Sequence, residues 1–175
     1  MADLPVAYRY QAIAFMRTEW PSIFQGEDKF IMGTYPPALS PVHFVISAGE
    51  ALVSYAEVLR LRFPQAGIEF QMYGFGNMFT FQPYRNEGFG KQVLALATNH
   101  IKNSDVDVAM LFCDKKLVPF YEKEGWEVTD SPTRIGDENE YEVYEPTRMM
   151  LFVSEHGQKN ADAFTENPVY TESPW

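Results

Sequence analysis

Residues 74–90, GFGNMFTFQPYRNEGFG, change character halfway along. Up to Phe81 the stretch is aromatic and β-like. After Arg85-Asn86-Glu87-Gly88-Phe89-Gly90 a helical period begins, with Phe89, Val93, Leu96-Ala97 and Ile101 on one face and Lys91, Gln92, Asn99 and Lys102 opposite. A strand that breaks into a glycine-rich turn and then a helix gathers backbone N–H groups in one place. The first helical amides lack partners and the helix dipole favours negative charge there, so the turn is a ready anion site. Gly74 and Gly76, inside the strand pattern, predict a bulge or a close backbone approach.

An antiparallel meander leads up to this stretch. His43 to Ser47 reads as a strand, Ala48-Gly49-Glu50 as a tight turn, and Ala51 to Phe63 as the return strand, where Leu59, Leu61 and Phe63 alternate against Arg60 and Arg62. Pro64 to Gly67 is the next turn, and Ile68 to Phe81 the third strand. Before the meander, residues 6–10 (VAYRY) suit a short first strand. Residues 11–24 suit a helix carrying Ile13, Met16 and Trp20, interrupted by Pro21, and residues 29–41 a loop.

Downstream, Asn103-Ser104-Asp105 stops the helix and Val106 to Phe112 forms an apolar strand. Strand, helix, strand implies parallel pairing through a right-handed crossover. Asp114 suits the N-cap of a short helix reaching Glu124, with Pro119 in its first turn and Gly125 at its end. Trp126 to Thr129 suits a strand, residues 131–139 a polar loop, and residues 141–153 a last strand or hairpin. Residues 1–153 therefore read as one domain. Residues 154–175 read as a C-terminal tail, with Phe164, Tyr170 and Trp175 available to dock on it.

Composition bounds the function. The chain has 175 residues, a size for one domain with a real core. Its net charge of −10 argues against nucleic acid as a partner and is compatible with a cationic small molecule, as well as with a simply solubilising surface. No apolar run approaches the roughly 20 residues of a membrane span, and the first residues lack the pattern of a signal peptide, so no membrane partner is expected and the cytoplasm is the expected compartment. The single cysteine, Cys113, excludes an internal disulfide and a cysteine-based zinc site. His43, His100 and His156 show no spacing for a metal or a triad, so no metal is expected and all three read as structural or exposed.

Beyond the apolar strand comes Phe120-Tyr121-Glu122-Lys123-Glu124-Gly125-Trp126. With FTFQPYRNEGFG before it, the chain resembles the GNAT (Gcn5-related N-acetyltransferase) family. The first stretch matches the acetyl-CoA signature with its Arg/Gln-x-x-Gly-x-Gly/Ala core, and FYEKEGW matches the second signature. The meander HFVISAGEALVSYAEVLRLRF is also similar to the aminoglycoside 2′-N-acetyltransferase branch. The resemblance implies an α+β fold of the GNAT (acyl-CoA N-acyltransferase) type. That is a mixed, mostly antiparallel sheet of six or seven strands with helices on both faces, and the co-substrate in the splay between the fourth and fifth strands.

It also implies roles. The amides of Arg85, Asn86, Glu87, Gly88, Phe89 and Gly90 would hold the CoA pyrophosphate, with Arg85 adding charge. Met78, Phe79 and Thr80 would run beside the pantetheine arm, and an amide there would stabilise the oxyanion. Tyr121 would protonate the departing thiolate as general acid. Asp114 stands where many members carry an asparagine, which favours its capping role. The position that aligns with the family's usual Glu base is Gly76, so the base is open. Glu69 and Glu57 are the nearby carboxylates, each also readable as solvated or structural, and a backbone carbonyl or water relay is the further option. Cys113 could form an acetyl-cysteine, but a buried, inert thiol and direct transfer through a ternary complex are favoured. The implied activity is acetyl-CoA-dependent N-acetylation of a primary amine on a small, cationic substrate, with acyl groups larger than acetyl left open. The alternative is a non-catalytic acyl-CoA sensor of the same fold. A homodimer through the aromatic last strand is a further expectation.

Overall fold

The computed structural model describes residues 4–33, 35, 39 and 41–172. Residues 6–10 are helical rather than extended: they open α1 (Val6–Glu19). Valine and tyrosine favour strands locally, but the helical period of the following residues reaches back through them and wins. Ala12, Ile13 and Met16 form the buried stripe, Tyr8 packs on the same core, and the amides of Tyr8 and Arg9 donate to the Pro5 carbonyl. Trp20 leaves helical geometry and Pro21 starts a separate 3-10 turn, so the proline ends the helix as expected. Within residues 29–41, a second 3-10 turn over Gly26–Phe30 overlaps the start of the expected loop.

β1 (Val42–Ala48) and β2 (Ala51–Gln65) pair antiparallel around Gly49, whose φ of 60° needs the left-handed region. The register slips by one residue between Ile46 and Ser47, so that His43 faces Glu57; without the slip it would face Ala56. β2 runs through Pro64 to Gln65, and the turn into β3 (Ile68–Thr80) is only Ala66-Gly67, both left-handed at φ 49° and 78°. β3 runs unbroken through Gly74 and Gly76, where an interruption was expected, and the left-handed residue is Asn77 (φ 50°), just after Gly76.

α2 (Phe89–Lys102) crosses over to β4 (Val108–Cys113), which pairs parallel with β3 from Met72–Phe75 to Val108–Leu111. The buried face of α2 is Val93, Leu94, Ala97 and Ile101; Leu96, expected there, is 50% exposed. Next come α3 (Val118–Tyr121), ended after a 3-10 turn by left-handed Gly125, and the two-residue β5 (Glu127–Val128). β6 (Thr133–Gly136) lies inside the stretch expected to be a polar loop. Residues 141–153 hold β7 (Tyr141–Tyr144) and β8 (Thr147–Phe152), which belong to different sheets and form neither one strand nor a hairpin. Residues 154–172 contain α4 (Glu155–Lys159), α5 (Asp162–Thr165) and β9 (Val169–Thr171). Trp175, proposed as a docking residue, lies outside the described residues.

The strands form a six-stranded mixed sheet, β1-β2-β3-β4-β8-β5, and a three-stranded sheet, β7-β6-β9. This is the α+β arrangement the resemblance implied. The chain divides into two compact units. The first, residues 1–59 and 77–97, has a core in which Ile13 and Met16 of α1 pack with Leu52, Tyr55 and Phe79. The second, residues 60–76 and 98–175, is centred on Phe70, Met72, Met110, Met150 and Phe164. Full burial of Phe164 alone stabilises by roughly 2–3 kcal/mol, which anchors a segment that shows no visible period.

Candidate active site

In the turn before α2, Asn86 (φ 69°) and Gly88 (φ 85°) are left-handed and Glu87 between them is not. Alternating hands turn successive amides toward one side, the concavity that takes up anions at helix N-termini. The amides of Asn86 and Gly88 meet no acceptor among the described residues, and residues 86–88 are exposed. Phe89 and Gly90, half-buried, begin the helix. The Arg85 side chain is committed elsewhere: Nε donates to the Thr80 carbonyl at 2.9 Å and Nη2 to Glu19 Oε1. Its backbone, more than its guanidinium, is what the turn offers.

The strand residues are braced too. The Phe79 ring is buried against Tyr55, Phe15 and Trp20, and its carbonyl accepts from Ser54 Oγ at 2.9 Å. Thr80 Oγ1 shares a hydrogen bond with the same hydroxyl at 2.9 Å, and Met78 is half-buried beside them. Backbone held this firmly can present amides without reorganising, the condition for oxyanion stabilisation.

Tyr121, on α3, is 7% exposed and meets Phe75 edge-on at 6.2 Å between ring centres. Burial, with the neighbouring Cys113 thiol, raises its hydroxyl well above the ordinary phenol range, so it is protonated at neutral pH. The Cys113 thiol is pushed up to about 11 by burial and by Asp114, and its Sγ contacts Met149 Sδ at 3.8 Å. Such a thiol is a poor nucleophile at neutral pH. Asp114 accepts from the Lys116 amide, the capping role.

Of the two carboxylates weighed for the base, Glu69 is exposed, whereas Glu57 is 1% exposed. Glu57 Oε2 accepts from the Tyr55 hydroxyl and lies 3.1 Å from His43 Nδ1; its Oε1 accepts from Asn77 Nδ2 at 2.6 Å. Burial first, and then the Glu57 carboxylate, raise the Tyr55 hydroxyl far above its usual value. His43 and Asn77 were not anticipated as site residues. Asn77 bonds Glu57 from its left-handed position, and only the one-residue slip in β1–β2 brings His43 over Glu57. The alternation of Tyr55 and Glu57 on one strand face was the available signal.

A six-stranded mixed sheet with a parallel crossover, an amide-rich turn opening the crossover helix, and a buried tyrosine on the next short helix are features that the resemblance to the GNAT family implied. Comparison confirms the class. The model of the acetyltransferase (GNAT) domain matches residues 2–129. The chain therefore belongs to the GNAT family and is an N-acetyltransferase. Solved structures agree in fold. An aminoglycoside 6′-N-acetyltransferase complexed with coenzyme A superposes with a TM-score of 0.59 at 12% identity, covering 86% of this chain and 93% of that one. Escherichia coli ElaA gives 0.59 at 15% identity (85% and 93%), and Tetrahymena GCN5 0.57 at 12% (88% and 93%). No curated protein matches the chain in sequence. No helix among the described residues is long and apolar enough to cross a membrane.

Proposed function

We propose that this N-acetyltransferase transfers the acetyl group of acetyl-CoA directly to the primary amine of a small, cationic substrate, with both bound at once, in the cytoplasm. The observation that carries the reading is the turn at Asn86–Gly88, whose alternating backbone and exposed amides fit a pyrophosphate. The amides from Arg85 to Gly90 hold the phosphates, and Met78, Phe79 and Thr80 lie beside the pantetheine arm. Acetyl-CoA supplies an activated acyl group as co-substrate. Tyr121 gives its proton to the departing sulfur, and its burial keeps the hydroxyl protonated until then. The buried, weakly acidic Cys113 favours direct transfer over an acetyl-cysteine.

The test is thiol release from acetyl-CoA with propylamine, tyramine, spermidine and kanamycin, with mass spectrometry of the product. Initial rates should give intersecting double-reciprocal lines and Cys113→Ala should retain turnover; parallel lines would indicate a covalent intermediate. Acetyl-CoA binding with no turnover of any amine would favour a sensor. Tyr121→Phe should lower kcat by about 100-fold with acetyl-CoA affinity unchanged; wild-type turnover across pH would remove the acid role.

A further inference from the structure

The first unit buries a side-chain network that acetyl transfer, as described so far, does not use. His43 and Glu57 face each other across the β1–β2 pair, and Tyr55 is two residues along on the same face. Their side chains are nearly sealed, at 6% exposure for His43 and 2% for Glu57. The hydrogen bonds fix the proton positions. The single Tyr55 proton goes to Glu57 Oε2, so the ring nitrogen 2.7 Å from the Tyr55 oxygen must be a donor, and His43 carries its proton on Nδ1. In the neutral imidazole Nε2 is then a bare lone pair. It is buried and has no hydrogen-bond partner among the described residues. A buried polar atom left without a partner costs roughly 1–3 kcal/mol, and native folds rarely keep one without a use.

The Glu57 carboxylate is a poor candidate for touching the substrate itself. Asn77 occupies one oxygen, and Tyr55 and His43 occupy the other. Its place in the network is that of an orienting anion: it holds the tautomer and would balance the charge of an imidazolium. The titratable groups around the ring are Glu57, Tyr55 and, acting on Tyr55, Tyr35.

We propose that His43 Nε2 takes the proton from the acceptor's ammonium group, directly or through one bridging water, and that Glu57, Tyr55 and Asn77 are its positioning residues. The proposal rests on the acetyl-transfer reading above and supplies the base that Gly76 left open. Its substrate class is an amine that is cationic at neutral pH. The ammonium loses one proton to Nε2, leaving a neutral amine and an imidazolium paired with Glu57. The amine nitrogen bonds to the acetyl carbon as the carbon–sulfur bond breaks. Tyr121 protonates the sulfur and recovers its proton from the new amide nitrogen. His43 then returns its proton to solvent, so that ammonium and acetyl-CoA give amide, CoA thiol and one free proton.

The experiment compares wild type with His43→Gln on whichever of the four probe amines is turned over, across pH. The expected result is a kcat/KM about 100-fold lower at pH 7, a gap that closes as pH rises and the free amine becomes abundant, and an unchanged affinity for acetyl-CoA. An equal loss at every pH would mark a merely structural histidine and overturn the proposal. A second measurement needs no turnover and no variant: nitrogen-15 spectra of the full chain labelled at histidine, with and without propylammonium. A protonated Nδ1 and a bare Nε2 that shifts on adding the ammonium support the proposal. A protonated Nε2 in the resting protein, or no response, overturns it. If none of the amines is acetylated, the acetyl-transfer reading fails by itself and the spectra still decide the role of His43.

Discussion

Two buried polar networks differ in one respect that separates structure from chemistry. In the second unit, Arg148 is 2% exposed and forms no ion pair among the described residues, yet its donors are met by neutral acceptors: Thr129 Oγ1 (2.8 Å), Thr133 Oγ1 (3.1 Å), Ser131 Oγ (2.5 Å) and the Phe164 carbonyl (2.8 Å). Burial lowers its pKa to about 10, and it is still charged at neutral pH. In the first unit, the bonds among His43, Tyr55, Glu57 and Asn77 end at an atom with no partner among the described residues. A closed network rigidifies the fold. An open one holds a group ready for something else.

The largest effect should come from breaking the closed network. Arg148→Ala strands the acceptors around it and should cost roughly 3–5 kcal/mol in denaturant unfolding. A loss below about 1 kcal/mol would deny it a structural role. Glu57→Gln keeps the shape of the open network but removes its anion. It should cost only about 1–2 kcal/mol of stability, while lowering kcat/KM more strongly at pH 7 than at high pH. The smallest change sharpens the site itself. At Gly88 a Cβ meets nothing within 4 Å, so Gly88→Ala is penalised only for its left-handed backbone, by about 1 kcal/mol. Acetyl-CoA affinity should fall by more than that strain explains, because the turn must keep its shape to aim its amides.

Much of this was legible from residue patterns, for identifiable reasons. Leu59, Leu61 and Phe63 alternate because only one face of the end of β2 is covered, and the α2 period at Val93, Ala97 and Ile101 records a helix on a core. Turn glycines mark left-handed backbone, which is why residues 85–90 stood out. What escaped notice has no periodic signature. A one-residue slip in β1–β2 changes which residue His43 faces, and nothing local records it. β6, α4 and α5 are too short to show a period, and their placement rests on single anchors such as Phe164 and Arg148. The helical start at Val6 shows the opposite failure, in which three strand-favouring residues, Val6, Tyr8 and Tyr10, obscured a longer period.

The central claim is that the turn at residues 85–90 grips the pyrophosphate of the acyl donor. Calorimetric titration with acetyl-CoA and with S-acetylpantetheine, which lacks that group, tests it most directly. Loss of several charge-assisted amide contacts should weaken binding by at least about 100-fold, near 3 kcal/mol. Equal affinity for the two compounds would contradict the claim.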